Sequence, residues 1–230
     1  MNKISIIIPI LNEVDAIHRL LLHIKNSISA TIAYEIIIVD GGSIDGSQKE
    51  VLNHAKTILI SSEKGRAIQL NAGAEIATGT ILYFLHCDSY PPNNFDLLIS
   101  EQILKGNLAG CFRMKFDYVH PVLLVSQWFT RVNHISCRGG DQSLFITKYL
   151  FVKIGGYDAK YSIYEDNEIC KRLYQNKQFV IIPNCIVTSA RKYRENGVWR
   201  LQYHFATIHF KRRLGHSVES MSEYYKKNIR

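Results

Sequence analysis

Residues 3–13 read KISIIIPILNE and residues 35–46 read EIIIVDGGSIDG, and these two stretches decide the fold. In the first, an isoleucine-dominated run over residues 3–8 stops at Pro9. In the second, a like run over residues 35–39 stops at Asp40. Short apolar runs bounded by turn residues predict strands buried on both faces, the mark of a parallel sheet. Between them Asn12, with Asp15 three residues on, predicts a helix cap, and Ile17, Leu20, Leu21, Ile24 and Ile28 recur at helical spacing. The unit is βαβ.

The alternation runs on from there. Residues 47–55 predict a helix, 57–60 a strand and 66–77 a helix, and Gly79-Thr80 leads into a strand over 81–85. Such a pattern implies an α/β, Rossmann-like fold: an open, mostly parallel sheet flanked by helices. Ligands of these sheets bind beyond the carboxyl ends of the strands. The segments 9–13, 40–46 and 86–89 all stand at such ends. After Pro91-Pro92 the pattern loosens. Residues 95–104 read as a helix, 111–118 as a strand, 121–132 as an apolar, aromatic stretch, 166–174 as a helix and 179–182 as a strand. The expected organisation is a single domain: a nucleotide-binding half over 1–90, an acceptor-binding half over 91–190, and a basic helical tail over 191–230.

The chain has 230 residues, of which 47% are hydrophobic, enough for one sizeable core. No apolar run approaches the ~20 residues of a spanning helix, and Met1-Asn2-Lys3 leads straight into a strand without the layout of a signal peptide. The expectation is a cytoplasmic protein, with peripheral contact at the inner face of the membrane as an option. The five cysteines (Cys87, Cys111, Cys137, Cys170, Cys185) are odd in number and lack C-x-x-C spacing, so reduced core thiols are expected. The net charge of +8 belongs to the end of the chain. Residues 191–230 carry 10 Lys/Arg against 3 Asp/Glu, and residues 1–190 carry 18 against 17.

Three motifs carry chemistry. In 39–46 the glycines permit close backbone approach, and Asp40 can accept from a base N–H or a ribose hydroxyl. A helix-capping turn with Asp45 or Ser43 as cap would use the same residue types. Neither a G-x-G-x-x-G nor a G-x-x-x-x-G-K-[ST] loop occurs. In His86-Cys87-Asp88-Ser89, the carboxylate of Asp88 can hold Mn²⁺ or Mg²⁺ against a diphosphate, whose growing charge on departure must be neutralised. His86, a softer ligand, reads as a structural or supporting group. In Glu165-Asp166, a carboxylate at a helix start can serve as a general base or as a plain cap. The tail interleaves bases and aromatics. It reads as a surface for anionic phospholipid or a phosphorylated acceptor, as a nucleic-acid surface (the disfavoured partner), or as a helix packing Trp199, Phe205 and Ile208 on the core.

In order along the chain, Ser5-Ile6-Ile7-Ile8-Pro9-Ile10-Leu11-Asn12-Glu13, the 39–46 turn, Asn71-Ala72-Gly73, His86-Cys87-Asp88, and Gly155-Gly156-Tyr157-Asp158 followed by Glu165-Asp166 resemble family 2 glycosyltransferases. These are inverting enzymes of the A-type fold, and the likeness covers most of residues 3–190. The resemblance implies a nucleotide-sugar donor, a UDP- or GDP-sugar. It implies that Pro9 and Glu13 line the nucleotide pocket, that Asp40 binds the base or ribose, that Asp88 coordinates the metal, and that Asp166 is the catalytic base. The implied reaction is a single in-line displacement by an acceptor hydroxyl, with inversion. Two positions depart from the family pattern. The usual Asp-x-Asp stands here as His86-x-Asp88, and Arg-Asn-x-Gly stands as Leu70-Asn71-Ala72-Gly73, with Arg66 one helical turn earlier as a substitute. Both resemble a bacterial subgroup associated with radical-SAM and selenium-domain proteins. Gly140-Asp141-Gln142 resembles it too, which implies that Asp141 and Gln142, with Glu165 nearby, touch the acceptor or the transferred sugar.

Two other classes compete. A nucleotidyltransferase needs a basic, Gly-rich loop after its first strand, whereas residues 9–13 are acidic and lack glycine. A non-catalytic protein that keeps the fold and binds an anionic membrane or nucleic acid through its tail is motivated by the missing first carboxylate.

Overall fold

The computed structural model describes residues 3–29, 31–176 and 179–229. Met1 and Asn2 of the opening segment and Arg230 of the tail lie outside the described residues. The first half runs β1 (Lys3–Ile10), α1 (Val14–Ser27), β2 (Ala33–Asp40), α2 (Ser47–Leu52), β3 (Thr57–Ser61), α3 (Arg66–Ile76) and β4 (Ile81–Phe84). β1 pairs in parallel with β2 and β4, and β2 with β3. Successive residues of β1 serve opposite layers. Ile4, Ile6 and Ile8 join Ile17, Leu20 and Ile24 of α1, while Ile7 joins Leu70 and Ala74 of α3. With both faces covered, Ile6, Ile7 and Ile8 are apolar in succession rather than alternating, while buried Ser5 bonds Glu35.

The second half runs β5 (Ser89–Tyr90), α4 (Phe95–Leu104), β6 (Ala109–Phe116), α5 (Pro121–Phe129), β7 (Leu144–Thr147), α6 (Lys148–Lys153), α7 (Glu165–Gln175) and β8 (Phe179–Thr188). The sheet order is β3-β2-β1-β4-β7-β6-β8-β5. β7 is antiparallel to both β4 and β6, β5 is antiparallel to β8, and β6 and β8 are parallel. The short strands β5 and β7 carry no periodic signal and are not legible in the sequence. β8 continues beyond the expected 179–182 because a bulge absorbs its proline. Phe112 pairs with Ile182 and Arg113 with Cys185, leaving Pro183 and Asn184 without a ladder partner.

α2 is shorter than the expected 47–55. Lys56 turns the chain at φ 69°, and the Thr57 hydroxyl bonds the Val51 and His54 carbonyls. Asn12 does not cap α1. It sits at φ 55°, and Glu13 takes the cap position without a side-chain bond. Residues 191–229 form α8 (Arg191–Asn196), α9 (Val198–Arg213) and α10 (Val218–Asn228). Leu201, Ile208, Met221 and Ile229 make a small core there, against which Ile163, Tyr164 and Phe205 pack. Trp199, which one of the three readings of the tail packs on the core, is 73% exposed.

Candidate active site

The loops after β1 and β2 are stitched together. The Asn12 N–H donates to Ser43 Oγ at 2.8 Å, and Asn12 Oδ1 accepts from the Ile44 N–H at 2.9 Å. The Glu13 N–H donates to Ser47 Oγ at 2.9 Å and the Val14 N–H to Asp45 Oδ2 at 3.0 Å, so the second loop satisfies the opening amides of α1. Asp40 is fully buried. Its carboxylate accepts from the Gly42 and Ser43 N–H groups, the Ser43 hydroxyl and Gln48 Nε2. Burial alone would raise its pKa, yet these bonds hold it below the ordinary value. The carboxylate expected to face a base or ribose thus closes its own turn. Gln69 of α3, a residue that sequence reasoning did not single out, donates to the carbonyls of both Ile10 and Val39 at 2.8 Å and joins the two strand ends.

α3 also reaches the second half. Asn71 donates to the Tyr157 carbonyl at 2.8 Å and accepts from the Tyr157 N–H at 2.9 Å. Two motifs far apart in sequence are thereby one bonded unit. Gly73 lies where a Cβ would meet Ile7 Cγ2 at 2.5 Å, so α3 approaches β1 more closely than a side chain would permit. Arg66, the first residue of α3, meets the start of α7. Arg66 Nη1 donates to Glu165 Oε1 at 2.8 Å. Burial opposes the arginine's charge, but Glu165, Asp166 and Asp141 more than offset it. Glu165 is 2% exposed, and its Oε2 has no partner among the described residues. Burial, then the like charge of Asp166, raises its pKa against the pull of Arg66.

His86 stands between two carboxylates, with Nδ1 3.6 Å from Asp141 Oδ1 and Nε2 3.6 Å from Asp166 Oδ2. Burial and Arg66 favour the neutral ring, but the carboxylates prevail and push its pKa up to about 9. Both neighbours thus favour the charged form of the ring. Asp166 is the second residue of α7, whose cap position is Tyr164 at φ 72°, so Asp166 is not the cap. Asp88 is half-buried, and its carboxylate takes part in no hydrogen bond or ion pair among the described residues. Burial, then the like charges of Asp141 and Glu13, raises its pKa, while His86 and Arg191 oppose the rise.

Three further placements matter. Pro9 is half-buried within β1, paired with Val39. Gln142 is buried; its Oε1 accepts from Arg138 at 2.6 Å and its Nε2 donates to the Cys137 carbonyl at 2.7 Å, so it braces the loop instead of facing the opening. Arg191 reaches back across the site and grips Glu13 with both Nη atoms, at 2.9 and 3.2 Å. No local signal marks that pair, because its members are 178 residues apart. Among the described residues, the three side chains grouped tightly enough to share a metal are His18 of α1, Glu50 of α2 and His54 just past α2, a group that does not include Asp88.

This arrangement is the A-type glycosyltransferase fold. A Pyrobaculum calidifontis mannosyltransferase in complex with GDP-Man and Mn²⁺ matches with a TM-score of 0.70 at 18% identity, over 94% of this chain and 65% of that one. S. aureus TarS 1-349 in complex with UDP matches with a TM-score of 0.66 at 16% identity, over 82% and 60%. The chain belongs to glycosyl transferase family 2, whose model matches residues 5–150. Among curated relatives, an undecaprenyl-phosphate 4-deoxy-4-formamido-L-arabinose transferase of Proteus mirabilis is 31% identical over 84% of this chain and 58% of its own length. Glycosyltransferase AglE of Haloferax volcanii is 36% identical over 38% of this chain and 31% of its own. The chain thus spans 58% and 31% of the lengths of these two relatives.

Proposed function

We propose that the chain transfers a sugar from a nucleoside-diphosphate sugar to an acceptor hydroxyl by a metal-assisted inverting displacement. One observation carries this reading: the unpartnered carboxylate of Asp88 beyond β4, in the same field as Glu13, Asp141 and the His86–Asp166 pair. An unpartnered, half-buried carboxylate is the kind of hard oxygen that a divalent cation such as Mn²⁺ or Mg²⁺ takes as its one protein ligand, with diphosphate and water supplying the rest. When bound, such an ion supplies charge neutralisation on the leaving diphosphate. His86, the histidine of the His-x-Asp motif of the radical-SAM-associated subgroup, holds Asp141 and Asp166 in place and is not itself a ligand.

The protein groups then divide the work. Pro9, Glu13 and the Asp40 turn shape the nucleotide side, the last by its exposed backbone edge, and Arg191 beside Glu13 adds a cation there. Arg66 and Glu165 fix the start of α7. Asp166 receives the proton of the acceptor hydroxyl as that oxygen attacks the anomeric carbon. Asp141, half exposed beside His86, faces the acceptor or the sugar. The name of the Proteus relative supports an acceptor that carries phosphate on a lipid.

A panel of UDP- and GDP-sugars, with and without Mn²⁺, tests the reading by thermal shift. A donor at about a hundredfold excess over its Kd adds ~2.7 kcal/mol to the folded state. Slow donor hydrolysis that disappears in Asp88→Asn is the accompanying expectation. No stabilisation by any nucleotide sugar, with or without metal, overturns it.

A further inference from the structure

Two neighbouring helices of the second half turn apolar faces outward. α5 contains no charged residue. Leu123 faces inward, while Leu124, Val125, Trp128 and Phe129 are exposed at a spacing that puts them on one side of the helix. α9 is apolar on opposite sides. Leu201 and Ile208 pack into the small core of the tail, while Trp199, Tyr203, Phe210 and Leu214 face out. Gln202 Nε2 donates to Ser126 Oγ at 3.1 Å, and the His120 ring meets Trp199 at 6.3 Å, so the two exposed faces adjoin. Both tryptophans of the protein stand here, 55% and 73% exposed.

The charge pattern is one-sided as well. No aspartate or glutamate occurs over residues 118–140 or 196–218, while Arg131, Arg200 and Arg213 are exposed around the apolar surface. We infer that the outward faces of α5 and α9 form one docking surface for a bilayer carrying anionic lipid. Aromatic side chains, tryptophan above all, settle at the headgroup level, apolar side chains enter the acyl boundary, and arginines attract anionic headgroups. No helix among the described residues is long and apolar enough to cross a membrane, and the contact made through this surface is a peripheral one.

The surface is tied to the site. Buried Arg138 donates to the Thr130 carbonyl at 3.0 Å, just past α5, and to Gln142 Oε1 at 2.6 Å, beside Asp141. A lipid-borne acceptor would thus reach Asp166 from the docked side; this clause rests on the transferase reading, whereas the docking does not.

Vesicle co-sedimentation tests the docking. The full chain is mixed with phosphatidylcholine vesicles, with or without phosphatidylglycerol, and tryptophan emission is followed alongside. The expectation is binding to the anionic vesicles with a blue shift, weakened by salt, and a loss of about tenfold or more in Trp128→Glu/Trp199→Glu, since two aromatic anchors become anions that the negative surface repels. Both positions are exposed, so that variant keeps its fold, and its donor hydrolysis without vesicles stays at the wild-type rate. Absence of binding, binding that the double variant retains, or a self-associated protein whose dimer breaks in that variant without vesicle binding would each overturn the inference. Loss of donor hydrolysis in the wild type with intact vesicle binding would overturn the transferase reading alone.

Discussion

Gly140 leaves no space between itself and Asp166: a Cβ built on it would lie 2.1 Å from Asp166 Oδ2 and 2.3 Å from His86 Cε1. The glycine is therefore a spacer that lets a loop from the second half press against the imidazolium and the proposed base. Gly140→Ala should displace both side chains. We expect kcat/KM to fall about a hundredfold, as small misplacements near reacting groups do. The folded state should lose only about 1–3 kcal/mol, the usual cost of overpacking. Steady-state kinetics beside a denaturant melt check the separation.

Asp88→Asn should make the protein inactive and more stable at once. The native fold raises the pKa of Asp88 through burial and the like charges of Asp141 and Glu13, so the folded state bears an electrostatic cost for that carboxylate's charge. Removing that charge relieves the repulsion, and the melting temperature without metal should rise. Activity should fall by about 10²–10³, the scale of losing one electrostatic stabiliser of a developing charge. A lower melting temperature would contradict the electrostatic account.

Arg191→Ala tests the link between the tail and the first loop. The pair with Glu13 is partly solvent-exposed, and such pairs contribute about 0–1 kcal/mol, so unfolding should barely change. Donor binding should weaken severalfold, because the substitution leaves Glu13 as an unpaired anion on the proposed nucleotide side. Isothermal titration with UDP and GDP reads this directly.

Glu35 predicts the acid limb of stability at the far end of the sheet. It accepts from Lys3 Nζ at 2.8 Å, Ser5 Oγ at 2.5 Å and the Thr78 N–H at 2.7 Å. Burial would raise its pKa, but these bonds lower it to about 2. A carboxyl lowered in the folded state contributes stability that is fully present above its unfolded value near 4.5 and is lost as pH falls through about 2. Glu35→Gln should therefore lower stability at pH 7 and flatten its decline across that window, which chemical melts at several pH values would show.

Gly73→Ala serves as the contrast to Gly140→Ala. Its added carbon would press on Ile7 and Val39 between α3 and the sheet, away from the reacting groups. A loss of about 1–3 kcal/mol is expected, with kcat per folded molecule retained.

The first half of the fold is legible because each of its signals is local. The isoleucine runs, the helical spacing of Ile17, Leu20, Leu21 and Ile24, and the turn after Asp40 lie within single elements. Legibility ends where one element depends on another. The four residues of β7 read as a strand only when β4 and β6 flank them, and β8 passes its proline only through a bulge against β6. Asp40 shows the same limit: residue type and position suggest a ligand contact, whereas the folded turn engages its oxygens internally. Trp199 shows it on the surface, since an amphipathic pattern does not say which of two apolar faces of a helix will be covered.

Residue order alone determined the βαβ start, the strand-end loops that carry Glu13, Asp40 and Asp88, and the concentration of positive charge after residue 190. Tertiary structure alone decided that Arg66 meets Glu165, that His86 sits between Asp141 and Asp166, and that Arg191 closes on Glu13. Backbone periodicity and turn chemistry act over a few residues and are written in any short window. The field at a buried charge is summed over groups that only the packed chain brings within a few ångströms.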